Sequence, residues 1–443
     1  MTKTKTKKIL LICALTLLAA VLLFFGYKKA VELYNTKNAE ELFAAGDYAG
    51  AREWYEKNGS TEDMARCDHE INLEAYEAAE EKLAGGEYDE ARLDFEELGN
   101  FKDAADRALE CSFLKARALT DAGSYSDALD AIATLPNNYA GAKELGGEAR
   151  EGLYQQALAA TYECRMDEAI VLWNSLGSYK DSDALLKRCM SRIVSMAAGT
   201  DERVNYAPYA GKEAGGGILY WHRLGLIYVP KECNAETRCM IFYPGGYDSS
   251  LANAYYQDYI YAGTSPNAII LYMYTNGFYD MENRIEDAYR ALEEAALENN
   301  VFLHDMVVCG ASNGAYTAVN TAAYLYEHYG IAVRYVLTFD AGAHWAHTDK
   351  VLTPEQCDLT AKAGTEFLLF EGAGIGMNKS AIHTMVRHGC DVTIVLCQND
   401  GHYGIIYDAI YKGMLDWVLG NGEQPDDTNY TYIPLDITST YPE

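Results

Sequence analysis

Asp305-Met306-Val307-Val308-Cys309-Gly310-Ala311-Ser312-Asn313-Gly314 is the stretch whose reading decides the fold of the C-terminal half. The first five residues are a short apolar run of buried-strand type. The last five read G-x-S-x-G, and Ala315 to Tyr329 beyond them is helical in period, with Ala318, Ala322 and Leu325 among its apolar positions. A strand that turns sharply into a helix lifts a serine hydroxyl above the sheet edge. Glycines two residues either side of Ser312 leave room for that turn. Ser312 is therefore the candidate nucleophile.

Working outward, strands and helices alternate from about residue 217. Gly217–Trp221 and Gly225–Pro230 read as a strand pair, followed by strands at Arg238–Tyr243 and Ala268–Tyr274 and an amphipathic helix over Arg284–Leu297. After the serine helix come strands at Val333–Phe339 and Glu366–Phe370, a helix around Ser380–His388, and a strand at Val392–Cys397. Alternation on this scale predicts a mostly parallel sheet with helices on both faces.

A serine needs a base to take its proton and a third group to orient that base. Asn399-Asp400-Gly401-His402-Tyr403-Gly404 follows the last strong strand and places His402 on a glycine-flanked loop. Eight of the nine histidines lie beyond Met196, so position singles out His402. His344 and His347 lack a third ligand at useful spacing, so no metal and no cofactor is expected.

The motifs Tyr228-Val229-Pro230, Tyr243-Pro244-Gly245-Gly246, Gly310-Ala311-Ser312-Asn313-Gly314 and Gly401-His402 give the region from about Gly217 to Leu419 a resemblance to the α/β-hydrolases. The nearest branch is that of esterases, polyester depolymerases and feruloyl esterases. The resemblance implies an oxyanion hole from a backbone amide near Gly246 or Tyr247 and the amide of Asn313. Pro244 departs from the family, which usually has histidine there. The family's acid falls near Ile375 in Glu371-Gly372-Ala373-Gly374-Ile375-Gly376, where no acid stands. Asp340, after the preceding strand, and Glu371 are the two substitutes, and both keep the order serine, acid, histidine.

Upstream, the chain repeats itself. Gly46-Asp47-Tyr48-Ala49-Gly50-Ala51 recurs from Gly86, from Gly123 and more loosely from Cys164, in steps of 40, 37 and 41 residues. A second block, Leu98-Gly99-Asn100-Phe101-Lys102-Asp103-Ala104, returns as Leu176-Gly177-Ser178-Tyr179-Lys180-Asp181-Ser182. Helix, glycine turn, helix with a close-packing alanine describes an all-α helical solenoid, because one such hairpin cannot bury its apolar face alone. It resembles the tetratricopeptide class, whose repeats commonly bind a protein partner.

At the amino terminus, Ile9–Gly26 has no charge, and its eighteen residues span roughly 27 Å as a helix. Lysines at 3, 5, 7 and 8 precede it, Lys28 and Lys29 follow, and no A-x-A cleavage site is clear. An uncleaved membrane anchor with its N-terminus in the cytoplasm and the bulk of the chain extracellular is favoured over a signal peptide. The expected organisation is a basic tail at 1–8, a transmembrane helix at 9–26, helical repeats at 38–196, an α/β-hydrolase domain at 197–421 and a polar tail at 422–443. A net charge of −29 over 443 residues excludes a nucleic-acid groove. Eleven cysteines without a C-x-x-C pair read as packing residues.

These readings converge on a membrane-anchored, extracytoplasmic serine hydrolase that cleaves an ester, for which location suggests a cell-wall or polysaccharide substrate. A second class competes: an inactive hydrolase fold serving as a binding or scaffold module. Pro244 and the acid missing near Ile375 motivate it.

Overall fold

The computed structural model describes residues 3–198, 208–214, 216–246, 266–339, 349–372, 379–397, 405, 413–425 and 430–439. These divide into two compact units, Met1–Gly152 and Leu153–Glu443. The division falls inside a helix, so the last helical hairpin belongs with the sheet, whereas the sequence suggested a boundary near 196.

The first unit is all helix: α1 (Lys3–Ala44), α2 (Tyr48–Asn58), α3 (Thr61–Ala84), α4 (Tyr88–Leu98), α5 (Ala104–Asp121), α6 (Tyr125–Ala133) and the start of α7 (Ala142–Tyr162). Consecutive helices pack as antiparallel hairpins through the alanine of each repeat. Ala51, Ala91 and Ala128 are fully buried, with Tyr55 and Phe95 one turn beyond the first two. The tight turns need a positive φ, which Gly46, Gly86 and Gly123 supply at 77–82°. In α1 the apolar stretch is exposed, and the same unbroken helix continues to Asn35 and Ala39, which are buried. It is long and apolar enough to cross a membrane.

The second unit holds the rest of α7, then α8 (Met166–Leu176) and α9 (Ser182–Ala198). Here Cys164 takes the place of the turn glycine and holds φ at 57°. Ala169 and Trp173 repeat the buried pair. The block around Lys102 and Lys180 also repeats in three dimensions. Tyr76 Oη donates to Asp103 Oδ1 at 2.5 Å and Tyr154 Oη to Asp181 Oδ1 at 2.6 Å. Lys102 and Lys180 sit 4.6 and 4.5 Å from the same two rings.

The sheet follows, with strands β1 (Pro208–Ala214), β2 (Gly217–His222), β3 (Gly225–Pro230), β4 (Arg238–Tyr243), β5 (Ala268–Met273), β6 (Met306–Ala311), β7 (Val333–Phe339), β8 (Glu366–Gly372), β9 (Asp391–Cys397) and β10 (Tyr430–Pro434). Their order is β1-β2-β3-β5-β4-β6-β7-β8-β9-β10. The six strands from β5 to β9 run parallel, and β1, β2, β3 and β10 pair antiparallel at the two edges. The central strands are buried on both faces, which is why they read as continuous apolar runs. Alternate residues feed two cores. Ile241, Val308 and Val336 face helices α10 (Met281–Glu298), α11 (Asn313–Tyr329), α12 (Pro354–Ala363) and α13 (Lys379–Arg387). Met240, Cys309 and Leu337 face the side where Met414, Leu415 and Val418 of α14 (Met414–Val418) pack.

The stretch expected as a polar tail supplies β10. Tyr430 through Pro434 pairs with Cys397 through Thr393, and Tyr430 is fully buried against Phe370. Its alternating tyrosines are a strand period set in polar surroundings.

Candidate active site

The site is built at the C-terminal ends of the parallel strands. β4 leads leftward to β5, whereas β6 lies on its other side, so the chain reverses direction between β4 and β6. A crevice opens outside such a reversal. Gly245 and Gly246 follow β4, Ser312 follows β6, and Glu371 lies near the end of β8.

Ser312 sits at φ 49°, ψ −118°, a conformation a non-glycine residue holds only when its surroundings enforce it. Strain of this kind costs about 1–3 kcal/mol. The enforcement is visible. A Cβ on Gly310 would lie 2.3 Å from the carbonyl oxygen of Gly314, and one on Gly314 would lie 2.5 Å from that of Tyr243. The two glycines thus let α11 start directly above β6 and against β4. The Ser312 amide donates to Phe339 O at 3.0 Å, tying the turn to β7. Ser312 is 7% exposed. The Asn313 amide opens α11, where the first N–H groups lack intrahelical partners and carry the positive end of the helix dipole.

Gly245 is packed against the serine: a Cβ there would stand 3.1 Å from Ser312 Cβ. The next residue is held by a side chain that sequence reasoning missed. Asn276, buried in the loop after β5, donates through Nδ2 to Gly246 O. Its Oδ1 accepts from Phe278 N at 3.0 Å, and its carbonyl accepts from Thr317 Oγ1 of α11 at 2.5 Å. One asparagine therefore ties the Gly245-Gly246 turn to the serine helix. The signal available was Asn276-Gly277, a turn dipeptide at the end of a central strand; Gly277 takes φ 74°.

Other groups are placed away from this chemistry. Cys309 lies three residues before the serine, but burial pushes its thiol up and keeps it protonated. Burial likewise pushes up the Tyr243 phenol, 3.2 Å from Thr321 Oγ1. Phe278, in the loop after β5, packs edge-on against Tyr316 within the core. His388 pairs with Asp358 at 2.8 Å, and His304 stacks on Tyr162 at 3.7 Å. Among the described residues no group of three metal-ligating side chains occurs.

Of the candidate acids, Glu371 is 3% exposed and pairs in register with Leu396 of β9. Asp340 follows the last residue of β7 and lies outside the described residues, as do His402, Tyr247, His344 and His347.

No family model matches the chain, and no curated protein does. Solved structures match about half of the chain. Esterase B from Lactobacillus rhamnosis is 15% identical, covering 48% of this chain and 82% of that one, with a TM-score of 0.28. Carboxylesterase CesB from Bacillus subtilis is 12% identical over 54% of this chain and 99% of that one, TM-score 0.30. A thermostable esterase from Pseudomonas putida is 18% identical over 57% and 90%, TM-score 0.30.

Proposed function

We propose that the chain is a membrane-anchored, extracytoplasmic serine hydrolase that cleaves a carboxylic ester through an acyl-enzyme. The observation that carries the reading is Ser312, held at φ 49° between a buried strand and a buried helix. Backbone held in so sparsely populated a region clusters at active sites.

In this mechanism Ser312 Oγ attacks the ester carbonyl as His402 takes its proton. The amides of Asn313 and of residue 247, beyond Gly246, receive the developing oxyanion. His402 then protonates the departing alcohol, and water, activated by the same histidine, releases the acid product. Glu371 orients His402. The pairing of β8 with β9 supports it over Asp340, because His402 follows β9 by five residues whereas β7 is two strands from β9. The apolar span of α1 supports anchoring, with the N-terminus inside and the substrate a wall or polysaccharide ester.

The test is a fluorophosphonate probe on the full chain in detergent, with short aryl esters as substrates. Labelling should appear on Ser312 and vanish in Ser312→Ala. Glu371→Gln should lower kcat by about 10³-fold or more, and Asp340→Asn far less; the opposite ranking would reassign the acid. No labelling and no hydrolysis would leave the scaffold reading standing.

A further inference from the structure

The cysteines that read as packing residues in the sequence divide in three dimensions. Three of them meet groups that carry no thiol. Cys309 Sγ lies 3.8 Å from Met240 Sδ, Cys189 Sγ 3.7 Å from Thr161 Oγ1, and Cys164 Sγ donates to Asn300 O at 3.1 Å. Cys357 and Cys390 instead meet each other. Cys357 stands early in α12, where its amide donates to Thr353 O at 2.9 Å and the Thr353–Gln356 capping box fixes the helix start. Cys390 follows α13 and directly precedes β9; Gly389 makes the turn at φ 80°, and Cys390 N donates to Met385 O at 3.0 Å. Ordered elements therefore hold both backbones.

Cys390 Sγ donates to Cys357 O at 3.5 Å and lies 3.4 Å from Thr360 Oγ1, further along α12. The two thiols are also hydrogen-bonded to one another. A sulfur seated on its partner's backbone and thiol at once is at the short range that a disulfide requires. Both are free thiols in this structure, Cys390 5% exposed and Cys357 not at all. The hydrogen bond from Cys357 holds the Cys390 thiol below its ordinary range and pushes Cys357 up. Cys390 is thus the better thiolate and the one nearer solvent.

We propose that Cys357 and Cys390 are a modification site, a dithiol that an external disulfide oxidises to a bond between α12 and the start of β9. The Cys390 thiolate attacks one sulfur of the oxidant, whose S–S bond breaks, and the departing half takes the proton that Cys390 gave up. The Cys357 thiolate then attacks the Cys390 sulfur, forming the Cys357–Cys390 bond. It expels the second half, which takes the proton of Cys357. The chain loses two electrons and two protons, and the oxidant leaves as two thiols. With both sulfurs buried, the exchange goes through transient opening of the turn at Gly389. The bond closes a loop spanning 33 positions that contains β8 and α13, and so restricts the unfolded chain. An outward-facing chain would meet such oxidants, but the pairing itself rests on the contact and depends neither on location nor on Ser312.

The experiment is oxidation of the full chain in detergent with glutathione disulfide, then blocking of the remaining thiols with N-ethylmaleimide in denaturant, and peptide mapping. A peptide joining Cys357 to Cys390, lost on treatment with dithiothreitol, is the expected result. Oxidation should raise the urea midpoint of the parent and leave that of Cys357→Ala where it was. The same variant should trap glutathione on Cys390. The parent's own peptide map needs no variant, so it decides the question even where Cys357→Ala folds poorly. Maleimide on both Cys357 and Cys390 after oxidation of the parent overturns the proposal. So does a bond from either to a different cysteine, or a linked chain whose urea midpoint is not raised.

Discussion

At the scale of single residues, the site depends on two that do different work. Ser312 carries the chemistry proposed for it, and its motif was legible because glycine spacing and flanking periods can be read locally. Asn276 was not legible, because its partners Gly246 and Thr317 lie 30 and 41 residues away and only the fold brings them together. It acts through the backbone. A trans peptide is planar, so fixing the Gly246 carbonyl also fixes the direction of the amide at its other end, which is the proposed oxyanion donor. Asn276→Ala should therefore lower kcat about tenfold to a hundredfold, somewhat less than loss of a direct donor, with KM for a short aryl ester nearly unchanged. A rise in KM at constant kcat would show that Asn276 merely shapes the cleft. His402 and Asp340 come from sequence pattern and chain order alone.

At the scale of elements, the helical hairpins are held by small residues. Ala91 is fully buried where α4 meets its neighbours, beside Ala79, Leu83 and Phe95. Ala91→Leu should destabilise the repeats by about 1–3 kcal/mol through overpacking, read as a lower midpoint in urea followed by helical circular dichroism. Unchanged stability would mean that the hairpins can spread. Most elements were visible in the sequence, since the strands of the parallel sheet are buried on both faces and the helices carry a clear 3.6 period. Two features were not. β10 hid in a polar stretch because an edge strand needs one apolar face only, and Tyr430 and Tyr432 supply it with aromatic rather than aliphatic residues. The neighbour order β3-β5-β4-β6 is set by long-range pairing, which no local pattern records.

At the scale of the whole molecule, stability should depend on pH through a buried histidine at the β2–β3 turn. His222 Nδ1 accepts from Leu224 N at 3.2 Å, so the ring is held neutral, and burial lowers its pKa from 6.5 to about 4. The unfolded chain takes up that proton first. The contribution is complete above about 6.5, is lost as pH falls from there, and levels off below about 4. His222→Gln should flatten this part of the stability–pH curve relative to the parent, measured by urea midpoints across that range. Parallel curves would refute it.

The continuous α1 has a consequence of its own. Its apolar stretch and the residues that pack on α2 lie on one helix without a break, so they share an axis and a phase. Each added residue turns the far end by roughly 100° and advances it by about 1.5 Å. A single insertion between Gly26 and Asn35 would scarcely lengthen the helix, yet would swing the face that receives α2 through more than a quarter turn. Such a helix works as a key, setting the heading of the first hairpin relative to the apolar stretch.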